Sequence, residues 1–194
     1  KQLKSSSLKI KPALVLESSR GCWWGEKAQC TFCGLNGGSM EFRVKEPNEL
    51  ANAVKGYVRK YNCNSIAFSD NIIPKSFFNT FLPLISDLNL NLFYETKANL
   101  NESEIKVFKN SGVHMIQPGI ESLVDEVLFL MRKGTTQLIN IECLRLCAEY
   151  KINVSWSILW NFPNEKPLWY KKYLDLIPKI THLIPPGCMA NIRY

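Results

Sequence analysis

The sequence predicts an α/β fold of alternating strands and helices, and two observations carry it. Short apolar runs of strand length recur through the chain, and between them apolar residues fall at helical spacing. Strand, helix, strand in repetition implies parallel strands joined by right-handed crossovers. Hydrophobic residues make up 46% of the 194, which supplies a substantial core and argues against disorder. Two layouts fit: an open doubly wound sheet and a partial β/α barrel. In both, ligand-binding groups gather where strands end and helices begin.

The elements follow in order. Ala13 to Leu16 is the first candidate strand, leading into Glu17-Ser-Ser-Arg-Gly21 and a cysteine-rich loop. Pro47 opens a helix with an apolar face of Leu50, Ala53, Val54, Tyr57 and Val58. Ser65 to Ser69 is the second strand, ending at Asp70-Asn71. Phe77, Phe78, Phe81, Leu82 and Ile85 share a helical face that Pro83 must kink or restart. Leu90 to Thr96 is the third strand. Asn101 with Glu104 reads as a capping box and Gly112 as a helix stop. Val113 to Ile116 is the fourth strand. Val124, Val127, Leu128 and Met131 form a helix face closed by Gly134, and a further helix runs from Thr136 to Tyr150. Ile152 to Leu159 is the fifth strand. Pro167 opens a helix carrying Trp169, Tyr170, Tyr173, Leu174 and Ile177, which Pro178 ends. Cys188 to Tyr194 is the sixth strand.

Net charge is +7, which fits a basic surface or an anionic partner. No compact Lys/Arg run with interleaved aromatics supports nucleic-acid binding. No apolar run is long enough to span a membrane. Lys1 to Lys11 is basic and Ser-rich but lacks the apolar core of a signal peptide; with Pro12 it reads as a linker from an upstream segment. The seven cysteines are odd in number, and three crowd into twelve residues. This points to a reducing compartment, a cytoplasmic location and metal or redox chemistry.

Cys22, Cys30 and Cys33 supply three thiols soon after the first strand. A structural zinc site commonly takes four ligands, so zinc would have to recruit Cys63, His114 or another distant residue. A [4Fe-4S] cluster on three cysteines leaves one iron open to a substrate or cofactor. Buried free thiols are the third reading, set against a Gly-flanked loop beside Trp23 and Trp24. Cys143 and Cys147 lie four apart on a helix and read as a buried face, Cys63 as structural, and His114 and His182 as core or loop histidines.

The segment RGCWWGEKAQCTFCGLNG resembles the cluster loop of the radical S-adenosylmethionine (SAM) enzymes that mature ribosomal peptides. That group contains cobalamin-linked C-methyltransferases and peptide epimerases. FYETKANL, IQPGIESL, LMRKGTT and THLIPPGC match in the same order, so the resemblance runs from about Glu17 to the C-terminus. It implies a partial (β/α)6 barrel, with parallel strands inside and helices outside. Residues 13–194 would be the radical SAM core, truncated at its C-terminus, and residues 1–12 the linker from a missing cobalamin-type domain.

The resemblance also implies a chemistry. Cys22, Cys30 and Cys33 would bind three irons, and SAM would chelate the fourth. Reductive cleavage of SAM would release a 5′-deoxyadenosyl radical that abstracts hydrogen from an unactivated carbon. Phe32 would lie against adenine. Ser69, Asp70 and Asn71 would meet the methionine ammonium, with an ordinary Asx-capped turn as the alternative. Glu95 and Lys97 would touch the ribose or methionine carboxylate, or else form a plain salt bridge. Gln117 and Glu121 bracket Pro118-Gly119, where glycine admits close approach to a ligand; a helix-start turn is the alternative. Trp160 to Glu165 resembles the family's Gly-Phe-Pro-Gly-Glu-Thr adenine segment, with Asn161 and Asn164 replacing both glycines and Lys166 the threonine. Cys188 follows a Pro-Pro-Gly turn and could return a hydrogen atom, as peptide epimerases require; chance placement and plain packing are the alternative.

The implied partners are a precursor peptide and a one-electron reductant such as a flavodoxin or ferredoxin, with no membrane. The rival from another class is a catalytically degenerate or zinc-stabilised binding module, favoured by Asn161 and Asn164. An enzyme that methylthiolates or otherwise modifies transfer RNA is a third reading, resting on net charge.

Overall fold

The computed structural model describes residues 12–34 and 39–192. The expected linker therefore lies almost wholly outside the described residues, as does the end of the sixth strand. The chain opens with β1 (Leu14–Leu16), β2 (Ser19–Arg20), α1 (Trp23–Ala28) and β3 (Arg43–Val44). α2 (Pro47–Tyr61), β4 (Ser65–Phe68), β5 (Asn91–Thr96), α3 (Glu102–Asn110) and β6 (Val113–Pro118) follow. The chain continues through α4 (Asp125–Leu130), α5 (Gln137–Glu149), β7 (Asn153–Val154), β8 (Ser157–Trp160), α6 (Lys172–Ile180) and β9 (Cys188–Asn191).

β1, β4, β5, β6 and β7 form one parallel sheet in that spatial order. A bridge from Glu121 to Ile158 carries the surface on to β8, which pairs in parallel with β9. Spatial order thus repeats sequence order. A doubly wound sheet reverses its order at a switch point, so the singly wound, barrel-like layout is the one formed. β2 and β3 pair antiparallel, Ser19 opposite Val44, and close the base of the cysteine loop. No helix among the described residues is long and apolar enough to cross a membrane.

Alternation along the strands fills the core. Leu92 and Tyr94 of β5 point into it beside Ile66 and Phe68 of β4, with the Phe68 and Tyr94 rings stacked at 4.3 Å. Phe77, Phe81, Ile85, Ile105 and Phe108 cover that layer. The capping box forms as expected: Asn101 Oδ1 accepts from the Glu104 N–H, and Glu104 Oε2 accepts from the Asn101 N–H. Gly112 follows α3 at φ +83°, where a Cβ would stand 2.3 Å from the Leu90 carbonyl oxygen.

Several elements differ from expectation. The β4–β5 crossover is two 3-10 turns, Lys75–Phe78 and Leu82–Leu88; Pro83 lacks an N–H and restarts the chain. The fifth strand is interrupted at Ser155–Trp156, where the backbone changes partner: the Ser155 N–H donates to the Ile116 carbonyl, the Trp156 carbonyl accepts from the Gly187 N–H, and the Trp156 indole donates to the Ile184 carbonyl. Pro178 sits inside α6 and does not end it; the helix carries no buried residue, so water can serve the freed carbonyl. α2 buries Leu50, Ala51 and Val54, while Tyr57 faces solvent.

Asp70 ties the sheet to the cysteine loop. Its carboxylate accepts from the Ser18 N–H at 2.7 Å, from the Ser18 hydroxyl and from the Ser19 hydroxyl at 2.9 Å. Burial pushes this carboxyl above its ordinary range, and the serine hydrogen bonds pull against that. Asp70→Ala should therefore cost about 1–3 kcal/mol in urea unfolding, since it strands buried donors, with Asp70→Asn milder. Asn101→Ala should cost about 1 kcal/mol by the same measurement, through loss of the cap.

Candidate active site

A cavity of about 190 Å³ opens at the C-terminal ends of β5 and β6. Cys22, Cys30 and Cys33 border it on one side. Asn71, Glu95, Lys97, Gln117 and Glu121 face them from the strand ends, and Glu95 and Gln117 are register partners across β5 and β6.

The cysteine loop is built from backbone constraints. Gly21 has φ +87°, and a Cβ there would stand 1.9 Å from the Glu41 carbonyl oxygen, so only glycine fits. Cys22 then caps α1, its Sγ accepting from the Gly25 N–H at 3.3 Å. This short helix was not foreseen in the cysteine loop. It aims two tryptophans: Trp23 Nε1 donates to the Ile73 carbonyl at 3.3 Å and Trp24 Nε1 to the Arg132 carbonyl at 3.0 Å. Beyond α1, Thr31 donates its N–H to Met131 and its hydroxyl to Leu130, both at 3.0 Å. The Cys33 N–H closes a turn onto the Cys30 carbonyl at 3.1 Å. The loop is thus pinned against residues 130–132.

That receiving turn is strained in the way it needs. Arg132 has φ +51° and Gly134 φ +62°. A Cβ at Gly134 would stand 2.1 Å from the Trp24 ring. Lys133 between them enters the cavity, pairs with Glu121 at 3.1 Å and lies 5.3 Å from the Phe32 ring centroid. Gly119 leaves room for this ammonium. Lys133 was not singled out from sequence: it lies a hundred residues beyond Cys33, and only the LMRKGTT segment marked the neighbourhood.

The electrostatics are those of a partly dry pocket. Burial pushes the Cys30 thiol up, while the charges of Lys133 and Lys97 pull it down. Burial raises the Glu95 carboxyl, and the negative charges of Asp70 and Glu121 add to that. Burial and then the neighbouring Lys133 charge lower Lys97 to about 8.

The remaining expected residues lie outside the cavity wall. Ser69 donates its N–H and hydroxyl to the Leu16 carbonyl. Asp70 is consumed by Ser18 and Ser19. Asn161 lies in a turn beyond β8 and donates to Asn191 Oδ1 at 2.9 Å. It and Asn164 hold φ +72° and +68°, the left-handed backbone that glycine would take. Glu165 organises this turn, accepting from the Asn161 and Phe162 N–H groups at 2.9 Å and the Tyr170 hydroxyl at 2.8 Å. Phe162 meets Phe32 edge-on at 5.8 Å. Cys188 is exposed, with Sγ 3.0 Å from Ser157 Oγ, and Ser157 borders the cavity.

A larger cavity of about 880 Å³ lies on the other side of Trp156, between β8, β9 and α6. Its lining is mostly aliphatic and aromatic and includes none of the loop's thiols. Among the described residues, no three Cys, His, Asp or Glu side chains close on a point as a single ion requires. The three loop thiols border one cavity beside two lysines. Three thiols with cations beside them suit a [4Fe-4S] cluster, in which three irons would take a cysteine thiolate and the fourth would stay open.

Comparison with known proteins agrees with this chemistry. A putative methylthiotransferase of Methanocaldococcus jannaschii is 25% identical over 178 residues, covering 84% of this chain and 38% of the relative. The cobalamin-dependent SAM radical enzyme OxsB, solved with aqua-cobalamin bound, superposes with a TM-score of 0.72 at 20% identity, over 89% of this chain and 27% of that one. SuiB of Streptococcus suis, solved bound to the precursor peptide SuiA, superposes with a TM-score of 0.63 at 16% identity, over 96% of this chain and 40% of that one. The chain spans less than half the length of each. The family model for the radical SAM superfamily matches residues 16–177, which takes in the cysteine loop and the strand ends facing it. This chain therefore belongs to the radical SAM superfamily, whose cofactors are a [4Fe-4S] cluster and SAM.

Proposed function

We propose that the chain modifies a ribosomally synthesised precursor peptide, by C-methylation or epimerisation, using SAM cleaved at a [4Fe-4S] cluster on Cys22, Cys30 and Cys33. The observation that carries this is the meeting of three thiols and the β5 and β6 strand-end polar groups around one cavity. When bound, the cluster supplies the electron that converts SAM to a hydrogen-abstracting radical.

The chain's own residues bind, orient and exclude water. Phe32, fixed by Phe162, offers a face to adenine. Asn71, Glu95 and Gln117 offer hydrogen-bonding groups to the methionine ammonium and ribose. Lys133, oriented by Glu121, offers a positive charge to the methionine carboxylate. Asp70 positions the strand that enters the cysteine loop. The left-handed turn at Asn161 and Asn164 keeps its shape without glycine, which weakens the degenerate reading. The precursor peptide bound by SuiB supports a peptide substrate. The cobalamin dependence of OxsB supports methylation through cobalamin held outside the described residues. A one-electron reductant such as a flavodoxin or ferredoxin completes the set. Methylthiolation is the second reading, favoured by the Methanocaldococcus relative.

Anaerobic reconstitution with iron and sulfide should give about four irons per chain and release 5′-deoxyadenosine from SAM under reductant. The Cys22→Ala, Cys30→Ala, Cys33→Ala triple variant should lose both. Stoichiometric zinc without cluster absorbance would overturn the proposal. Product mass with a peptide or a transfer RNA separates methylation, epimerisation and methylthiolation. If the reaction is epimerisation, the Cys188 thiol returns the hydrogen atom and is left as a thiyl radical for the reductant to restore. Cys188→Ala should then still cleave SAM but fail to incorporate deuterium from heavy water into the peptide. Unchanged incorporation would remove Cys188 from the mechanism.

A further inference from the structure

Lys97 follows β5 as a buried cation, 6% exposed. Its Nζ donates to the Lys133 carbonyl and stands 3.8 Å from the Trp24 ring centroid and 5.9 Å from that of Trp23. Among the described residues it forms no ion pair, whereas Lys133 beside it has Glu121. One carbonyl and two ring faces do not replace the water and counter-charge that an ammonium loses on burial. The deficit calls for an anion on the cavity side. Cys22 and Cys30 border the same cavity and would present negative charge to Lys97 once they ligate a cluster.

We infer that Lys97 is the charge partner of the cluster and raises its reduction potential. This rests on the cluster reading above. Three thiolates and a four-iron core carry net negative charge, and reduction adds one more electron. A fixed cation in a water-poor pocket stabilises the reduced form more than the oxidised one. Trp24 and the Lys133 carbonyl hold the ammonium where that difference is felt. Lys133 has its charge offset by Glu121 and exerts less. The resemblance would assign Lys97 to SAM; the two roles separate when the potential is measured without SAM.

The experiment is an EPR-monitored redox titration of the reconstituted chain in the absence of SAM, after iron analysis. Lys97→Met should load the same iron as the unmodified chain yet have a more negative midpoint. Lys97→Arg should stay near the unmodified value, and Lys133→Met should shift less than Lys97→Met. Lys97→Gln, which keeps a donor for the Lys133 carbonyl, carries the test if Lys97→Met does not fold. A fully loaded Lys97 variant with an unchanged midpoint overturns the inference, and weakened SAM binding in that variant would return Lys97 to SAM. Failure of the unmodified chain to assemble any cluster defeats the cluster reading, and this inference with it.

Discussion

The site depends on the docking of Trp24 against the turn at residues 132–134. One indole does three jobs there. Its Nε1 donates to the Arg132 carbonyl, its face receives the Lys97 ammonium, and its edge occupies the space a side chain at Gly134 would need. The contact joins segments a hundred residues apart and sets where the cysteine loop stops. The stretch between Cys22 and Cys30 permits it, because it forms α1, and α1 carries Trp24 to its seat.

A second clamp works from below. Asp70 holds the Ser18 N–H and both serine hydroxyls, so the chain enters Gly21 along one path. Both clamps put polar groups where burial is expensive, and both lead to the same cavity. Lys97 and Lys133 add two cations at the rim of a pocket lined by thiols. In an apolar fold this arrangement would cost stability and bring nothing. At a cofactor site the same local violation has a use, since an anionic cofactor is what we propose offsets Lys97.

The singly wound strand order explains why distant segments can meet. Each crossover returns the chain to the same side, so successive strand ends stand next to one another around an arc. Residues 71, 95, 97, 117 and 121 become neighbours through that topology, although no spacing in the sequence joins them. The loop that follows β1 then needs only to reach across the arc.

The sequence by itself determined the alternation of strands and helices, the α3 capping box and the three-thiol loop. Each rests on local physics: periodicity, a side chain reaching a backbone group three residues away, or ligands within twelve residues. Asn161 and Asn164, which from sequence favour a degenerate module, are found to hold the left-handed backbone that glycine would take. Tertiary structure decided the rest. It made Asp70 a clamp for two serines, because burial below the loop leaves its carboxylate facing them. It brought in Lys133, whose place depends on two positive-φ neighbours and the Trp24 ring. It broke the fifth strand at Ser155–Trp156, where the backbone passes from the Ile116 carbonyl to the Gly187 N–H. These outcomes turn on which distant groups share a small buried volume, and neither periodicity nor spacing encodes that.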